Sequence, residues 1–146
     1  MVQLSHKEGI VDISHRFMLE QRFIGRYCSA NETTEDEYPL SNRARYMVRL
    51  QVPLQGREIK DQTAYFAVYN EIFIGFGKNV NANIFDQNRI GILLGYRFNK
   101  NVRIEGGYLN QTLQFGRLIN GQNVFQYNNG LIINANFNVD LSKPKE

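Results

Sequence analysis

The 146 residues carry 17 basic and 14 acidic side chains for a net charge of +3, with 42% hydrophobic residues, 12 glycines and 3 prolines. That length suits one domain, and that balance excludes a disordered chain, a collagen-like repeat and a low-complexity linker. A single cysteine, Cys28, excludes a disulfide framework, and two histidines, His6 and His15, leave little for a metal site.

The first residues show no basic segment followed by an apolar one, so no signal peptide is read in the chain. No window approaches the roughly 18 to 20 unbroken apolar residues of a membrane-spanning helix, and the mean hydropathy of -0.42 reads at face value as a soluble protein. The periodicity says more. Residues 2–5 read as a strand remnant before a turn, because Val2 and Leu4 are out of phase with Val11 and Ile13. From Val11 to Tyr27, Val11, Ile13, Phe17, Leu19 and Phe23 take odd positions, while Asp12, Arg16, Glu20, Arg22 and Arg26 take even ones. Period two is the mark of a strand with two unlike faces.

Ala44 to Leu54 sets Tyr46, Val48, Leu50 and Val52 against Arg45, Met47, Arg49 and Gln51. Thr63 to Gly77 sets Phe66, Val68, Ile72, Ile74 and Phe76 against Thr63, Tyr65, Tyr69 and Glu71, with Asn70 and Phe73 out of step. Asn88 to Phe98 sets Ile90, Ile92, Leu94, Tyr96 and Phe98 against Arg89, Gly91, Gly95 and Arg97, with Leu93 out of step. Val102 to Phe115 opens with Val102, Ile104 and Tyr108 against Arg103 and Glu105, then blurs after Leu109, which predicts a bulge near Asn110. Val124 to Leu141 sets Tyr127, Leu131, Ile133 and Phe137 against Asn134, Asn136, Asn138 and Asp140. Six long strands and no helix are predicted.

Long and short connections take turns, as in an up-and-down meander with one decorated end. In the tight turn Phe98-Asn99-Lys100-Asn101 the asparagines are expected to supply positive φ. The loop holding Glu32, Glu35, Asp36 and Glu37 is expected to be solvated and mobile.

Alternation alone fits both a soluble barrel with a greasy cavity and a membrane barrel with a greasy exterior. The cations discriminate. All six lysines lie in turns or tails, whereas Arg16, Arg22, Arg26, Arg45, Arg49, Arg89, Arg97 and Arg103 lie on the polar strand faces. The planar guanidinium fork suits a confined network with Glu20, Glu71 and Glu105, where a strongly hydrated ammonium does not. The polar faces are therefore read as an enclosed lumen. The apolar faces carry Phe17, Phe23, Tyr46, Phe66, Phe76, Tyr96 and Phe98, many toward strand ends, as lipid-facing aromatic girdles do. The fold class expected is all-β: an antiparallel meander forming a transmembrane β-barrel, or part of one, over residues 1–146 with a polar tail at 142–146. Six strands are fewer than the eight of the smallest single-chain barrels, so the chain is expected to lack amino-terminal strands or to close as an oligomer with partner chains.

Several segments are familiar: His15-Arg16-Phe17-Met18-Leu19-Glu20-Gln21-Arg22-Phe23, Phe85-Asp86-Gln87-Asn88-Arg89, Gly95-Tyr96-Arg97-Phe98 and Gly107-Tyr108-Leu109-Asn110-Gln111. Together with Tyr46 to Leu54 and Tyr65 to Phe73 they resemble an uncharacterised family of Bacteroidota envelope proteins, the domain-of-unknown-function family numbered twenty-four ninety, grouped with outer-membrane β-barrels. The resemblance covers about residues 13–137. It implies the fold and an outer-membrane location in a Gram-negative cell, with no catalytic residues to carry over.

Candidate chemistry is sparse. Asp12, Ser14 and His15 invite a hydrolase reading, but Ser14 and His15 point to opposite faces of a strand, so no local dyad forms. Gly75-Phe76-Gly77-Lys78 lacks the spacing and helix of a phosphate loop. Aromatic and basic residues segregate to opposite faces, unlike a nucleic-acid-binding sheet, where they share one. The acidic loop is read as hydrated rather than metal-binding, and Cys28 as a free thiol without a catalytic role. The polar faces hold three more arginines than the five acids Asp12, Glu20, Glu71, Glu105 and Asp140. The expectation is a structural or interaction scaffold, without cofactor, whose partners are the bilayer and other envelope proteins. The alternatives are a small anion-selective channel, a soluble barrel binding an apolar ligand and, last, an envelope hydrolase.

Overall fold

The computed structural model describes residues 1–23, 25, 38–78, 80, 84–115 and 118–138. Among these residues the period-two segments form seven strands and no helix. They are β1 (Val2–Glu8), β2 (Val11–Phe23), β3 (Leu40–Pro53), β4 (Thr63–Phe76), β5 (Phe85–Arg97), β6 (Val102–Gln114) and β7 (Phe125–Phe137). Each strand hydrogen-bonds antiparallel to the next in chain order, and the outermost strands β1 and β7 do not pair with each other. The antiparallel meander is as the sequence predicts, but the sheet is open. Arg26, Tyr27, Cys28, the acidic loop, Asp140, Leu141 and the 142–146 tail lie outside the described residues.

The strand count is seven rather than six because the segment read as a remnant is a full strand. Gly9 and Ile10 form a two-residue turn, with Gly9 at φ 60°, that pairs Glu8 with Val11 and Val2 with Phe17. Such a hairpin puts even positions opposite odd ones. The phase change between Val2 and Val11 is thus the register of the hairpin itself.

The predicted bulge also moves. Asn110 pairs regularly with Ile90 and with Asn129. The register shifts instead between β4 and β5, where Phe73 faces Gln87, Ile74 faces Phe85, and Asp86 is the extra residue. The blur after Leu109 arises because Asn110 and Thr112 follow Tyr108 on the outward side, while Leu109 and Leu113 share a face with Arg103 and Glu105. In the β5–β6 turn the asparagine acts through its side chain: Asn99 Oδ1 accepts from the backbone N–H of Asn101 at 2.8 Å and of Val102 at 2.9 Å. Neither Asn99 nor Asn101 has a positive φ.

Ion pairs between strands that are not neighbours show that the sheet is curved. Arg16 of β2 meets Glu71 of β4 at 3.0 Å, and Arg49 of β3 meets Glu105 of β6 at 2.5 Å. In a flat sheet β3 and β6 would stand about 14 Å apart, so the charged face must be concave. Gln3 and Ser5 of β1 and Asn134 and Asn136 of β7 border one hollow of about 1190 Å³ on that face. Its floor is a small core of Tyr65, Ala67, Tyr69 and Leu93, with Met47, Leu109 and Ile132 packed against it. Tyr65 and Tyr69 lie directly opposite Gly95 and Gly91 across β4 and β5. A Cβ at Gly91 would fall 2.1 Å from the Tyr69 ring, so the glycines are what let the two rings lie flat on the sheet.

Candidate functional site: the charged concave face

Two polar clusters flank the tyrosine layer. In the first, Phe73 is wholly buried on the concave side beneath three guanidinium groups, whose carbons lie 4.8 Å (Arg43), 4.6 Å (Arg45) and 5.0 Å (Arg89) from its ring centroid. A ring face attracts cations held over it. Three carboxylates complete the cluster. Glu71, only 4% exposed, accepts from Arg16 at 3.0 Å and from Arg45 at 2.8 Å. Glu20 holds Arg43 at 2.6 Å and also Arg45. Asp86, turned inward by the bulge, holds Arg43 at 2.5 Å and Arg22 at 3.7 Å. Arg89 makes no ion pair among the described residues, and its Nε is buried without a partner, as is that of Arg22.

In the second cluster Glu105, 3% exposed, takes Arg49 at 2.5 Å and the Tyr65 hydroxyl at 2.6 Å. Arg97 and Arg103, at the strand ends, do not join this network. Arg97 pairs with Asp61 in the β3–β4 turn at 3.3 Å, and Arg103 makes no ion pair among the described residues.

The arrangement therefore brings together Arg16, Glu20, Arg22, Arg45, Glu71 and Arg89 in one cluster and Arg49 with Glu105 in another, leaving Arg97 and Arg103 apart. It adds Arg43, Asp86, Tyr65 and Phe73, which the sequence reading left out of the network. Arg43 continues the odd-numbered spacing of Arg45 and Arg49, a signal available in the sequence. Asp86 becomes legible only through the bulge.

On the convex face stand Phe17, Phe23, Tyr46, Phe66, Phe76 and Tyr96, with Phe98 just past the end of β5. Phe23, Phe76, Tyr96 and Phe98 are at strand ends; Phe17 and Tyr46 are mid-strand, their rings 4.8 Å apart. Ser14 lies concave and His15 convex, where His15 Nδ1 is 2.9 Å from the Tyr46 hydroxyl. Asn70 and Asn88 also face outward and bond reciprocally, amide to amide, at 3.2 Å in each direction. Chemically, Glu20, Glu71 and Glu105 are each held by guanidinium groups, Glu105 also by the Tyr65 hydroxyl, the arrangement of a brace between strands. Among the described residues no group of three or more His, Cys, Asp or Glu could hold a metal ion.

Residues 2–119 match the family described as Protein of unknown function (DUF2490). The chain belongs to this family. No curated protein and no solved structure matches it. The DUF2490 match includes β1 to β6 and hence every residue of both clusters, while β7 lies beyond it.

Proposed function

We propose that this DUF2490 protein is an integral outer-membrane β-barrel component of a Gram-negative envelope, a structural or interaction scaffold that carries its loops on an interior braced by arginine and glutamate. One observation carries the reading: the polarity of the sheet is inside-out for water. Ion-paired arginines occupy the concave side, while Leu94, Leu131 and Ile133 stand 62%, 89% and 80% exposed on the convex side. An apolar surface of that extent marks contact with lipid or another apolar partner.

Three further features support it. β2 to β7 each have 13 or 14 residues, more than the about 9 to 11 that a tilted strand needs to cross a bilayer. The Asn70–Asn88 pair satisfies its own amides, as polar groups facing hydrocarbon must. The apolar belt reaches Leu19 and Phe23 on β2 and Phe76 on β4, and on β6 and β7 the outward face passes through Asn110, Thr112 and Asn129 before ending in the aromatic residues Tyr127 and Phe125. Aromatic residues at the strand ends are what the interfacial girdle of a membrane barrel carries.

The purified chain is expected to stay dispersed only with detergent and to float with liposomes. A monodisperse chain in plain buffer would overturn the reading. The second reading, an anion-selective channel, is favoured by the large basic-lined hollow. Tyr65, Tyr69 and Leu93 fill its floor, however, so planar bilayers are expected to stay silent, and discrete anion-selective steps would reverse the order of the two. The soluble apolar-ligand alternative gains no support, since the concave hollow is lined mainly by charged and polar side chains.

A further inference from the structure

Arg97 and Arg103 stand directly opposite each other across β5 and β6, on the concave face. Like charges so placed repel, and each is expected to draw an acid. Arg97 turns away to Asp61 and donates to the Ile59 carbonyl at 3.2 Å. Arg103 has no such recourse, because Glu105, next on its face of β6, is already taken by Arg49 and Tyr65. Both arginines border a cavity of about 290 Å³ whose lining adds Lys100, Asn101, Asn136 and Asn138 and, among the described residues, contains no acidic one. The Asn138 N–H donates to the Asn101 carbonyl at 2.7 Å, which fixes the end of β7 against the turn and holds the amides in place.

Arg103 and Lys100, which make no ion pair among the described residues, stand beside Arg97, whose Asp61 partner lies outside the cavity lining, and with several amide donors they form the recognition set for an oxyanion, whose phosphate oxygens the guanidinium fork matches. We propose that this cavity binds a phosphate group, held between Arg97 and Arg103. Val102 and Phe137, an outward-facing pair, also line it. The phosphate can therefore be the headgroup of an anionic lipid lying along the apolar face, or a free ion. The lipid source rests on the membrane reading; the phosphate site does not.

The test is calorimetry of the full chain in neutral detergent, titrated separately with inorganic phosphate and with dihexanoyl phosphatidylglycerol. Saturable binding of at least one is expected. Phosphate alone assigns a free oxyanion, and the lipid alone assigns a headgroup. R103Q is expected to weaken binding about tenfold or more, R103K less, and R97Q with R103Q to eliminate it. K78Q, in the β4–β5 connection at the opposite end of the strands, leaves binding unchanged. Without ligand, R103Q relieves repulsion, so its urea midpoint matches or exceeds that of the unaltered chain, and the probe stabilises it less than it stabilises the unaltered chain. Absence of binding by both probes, binding retained in the double variant, or an R103Q midpoint below that of the unaltered chain would overturn the site.

Discussion

At the residue scale the concave face is decided by which charges are matched. Glu71 is nearly buried and is shared by Arg16 and Arg45. Removing the buried Glu71 leaves two partly exposed guanidinium groups, 30% and 19% accessible, without their counter-charge, which costs on the order of 2 kcal/mol, less than the about 3–5 kcal/mol of a fully buried pair. E71A is therefore expected to lose stability on that scale in urea unfolding from micelles, and an effect within experimental error would mean that water reaches the cluster freely. The tyrosine layer allows a second test. G91A forces a methyl group into the Tyr69 ring and is expected to cost about 1–3 kcal/mol. Combining it with Y69V removes the obstacle, so the pair should show a favourable coupling of about 0.5–3 kcal/mol, whereas additivity would mean that the ring moves aside. Most of these side chains were legible in the sequence as an arginine and glutamate face. Phe73 was legible only as an exception to the alternation, because an aromatic ring beneath cations is polar in use and apolar in composition.

At the element scale the sequence reveals strands through alternation, and alternation survives wherever one face is uniform. β3, β4 and β5 are close to their expected spans for that reason. β1 was undervalued because a two-residue turn reverses the parity of the pattern, so a correct hairpin register looks like a break. The bulge was misplaced because a polar stretch on the outward side, Asn110 and Thr112, imitates an inserted residue, whereas the actual insertion at Asp86 hides among polar neighbours. What the outward face touches can be measured on one strand. Ile92 lies on the convex side of β5 and is 45% exposed. On a water-exposed surface I92R would shift stability by no more than about 0.5 kcal/mol. Facing the bilayer interior it costs about 2–4 kcal/mol. The larger loss is expected for the chain refolded into lipid vesicles, and a near-neutral result there would count directly against lipid contact.

At the scale of the whole molecule the number of strands constrains how the sheet can close. A meander alternates direction at every turn, so among the seven strands of the described residues β1 and β7 run the same way. If the sheet closes as the proposed membrane barrel, its neighbours are antiparallel, whereas direct pairing of β1 with β7 would be parallel. An element that closes the gap must run opposite to both, and one such strand gives eight, the smallest barrel size. A second copy does not meet this condition. Two copies in the same membrane orientation would set β7 of one beside β1 of the other in parallel, and antiparallel junctions between copies would require one of them to be inverted across the bilayer. Light scattering of the detergent-solubilised chain is accordingly expected to return one copy per micelle. Two copies joined along these edges, detected as a disulfide between S5C in one copy and N134C in the other, would show that the parity constraint does not govern this sheet and would restore closure between partner chains.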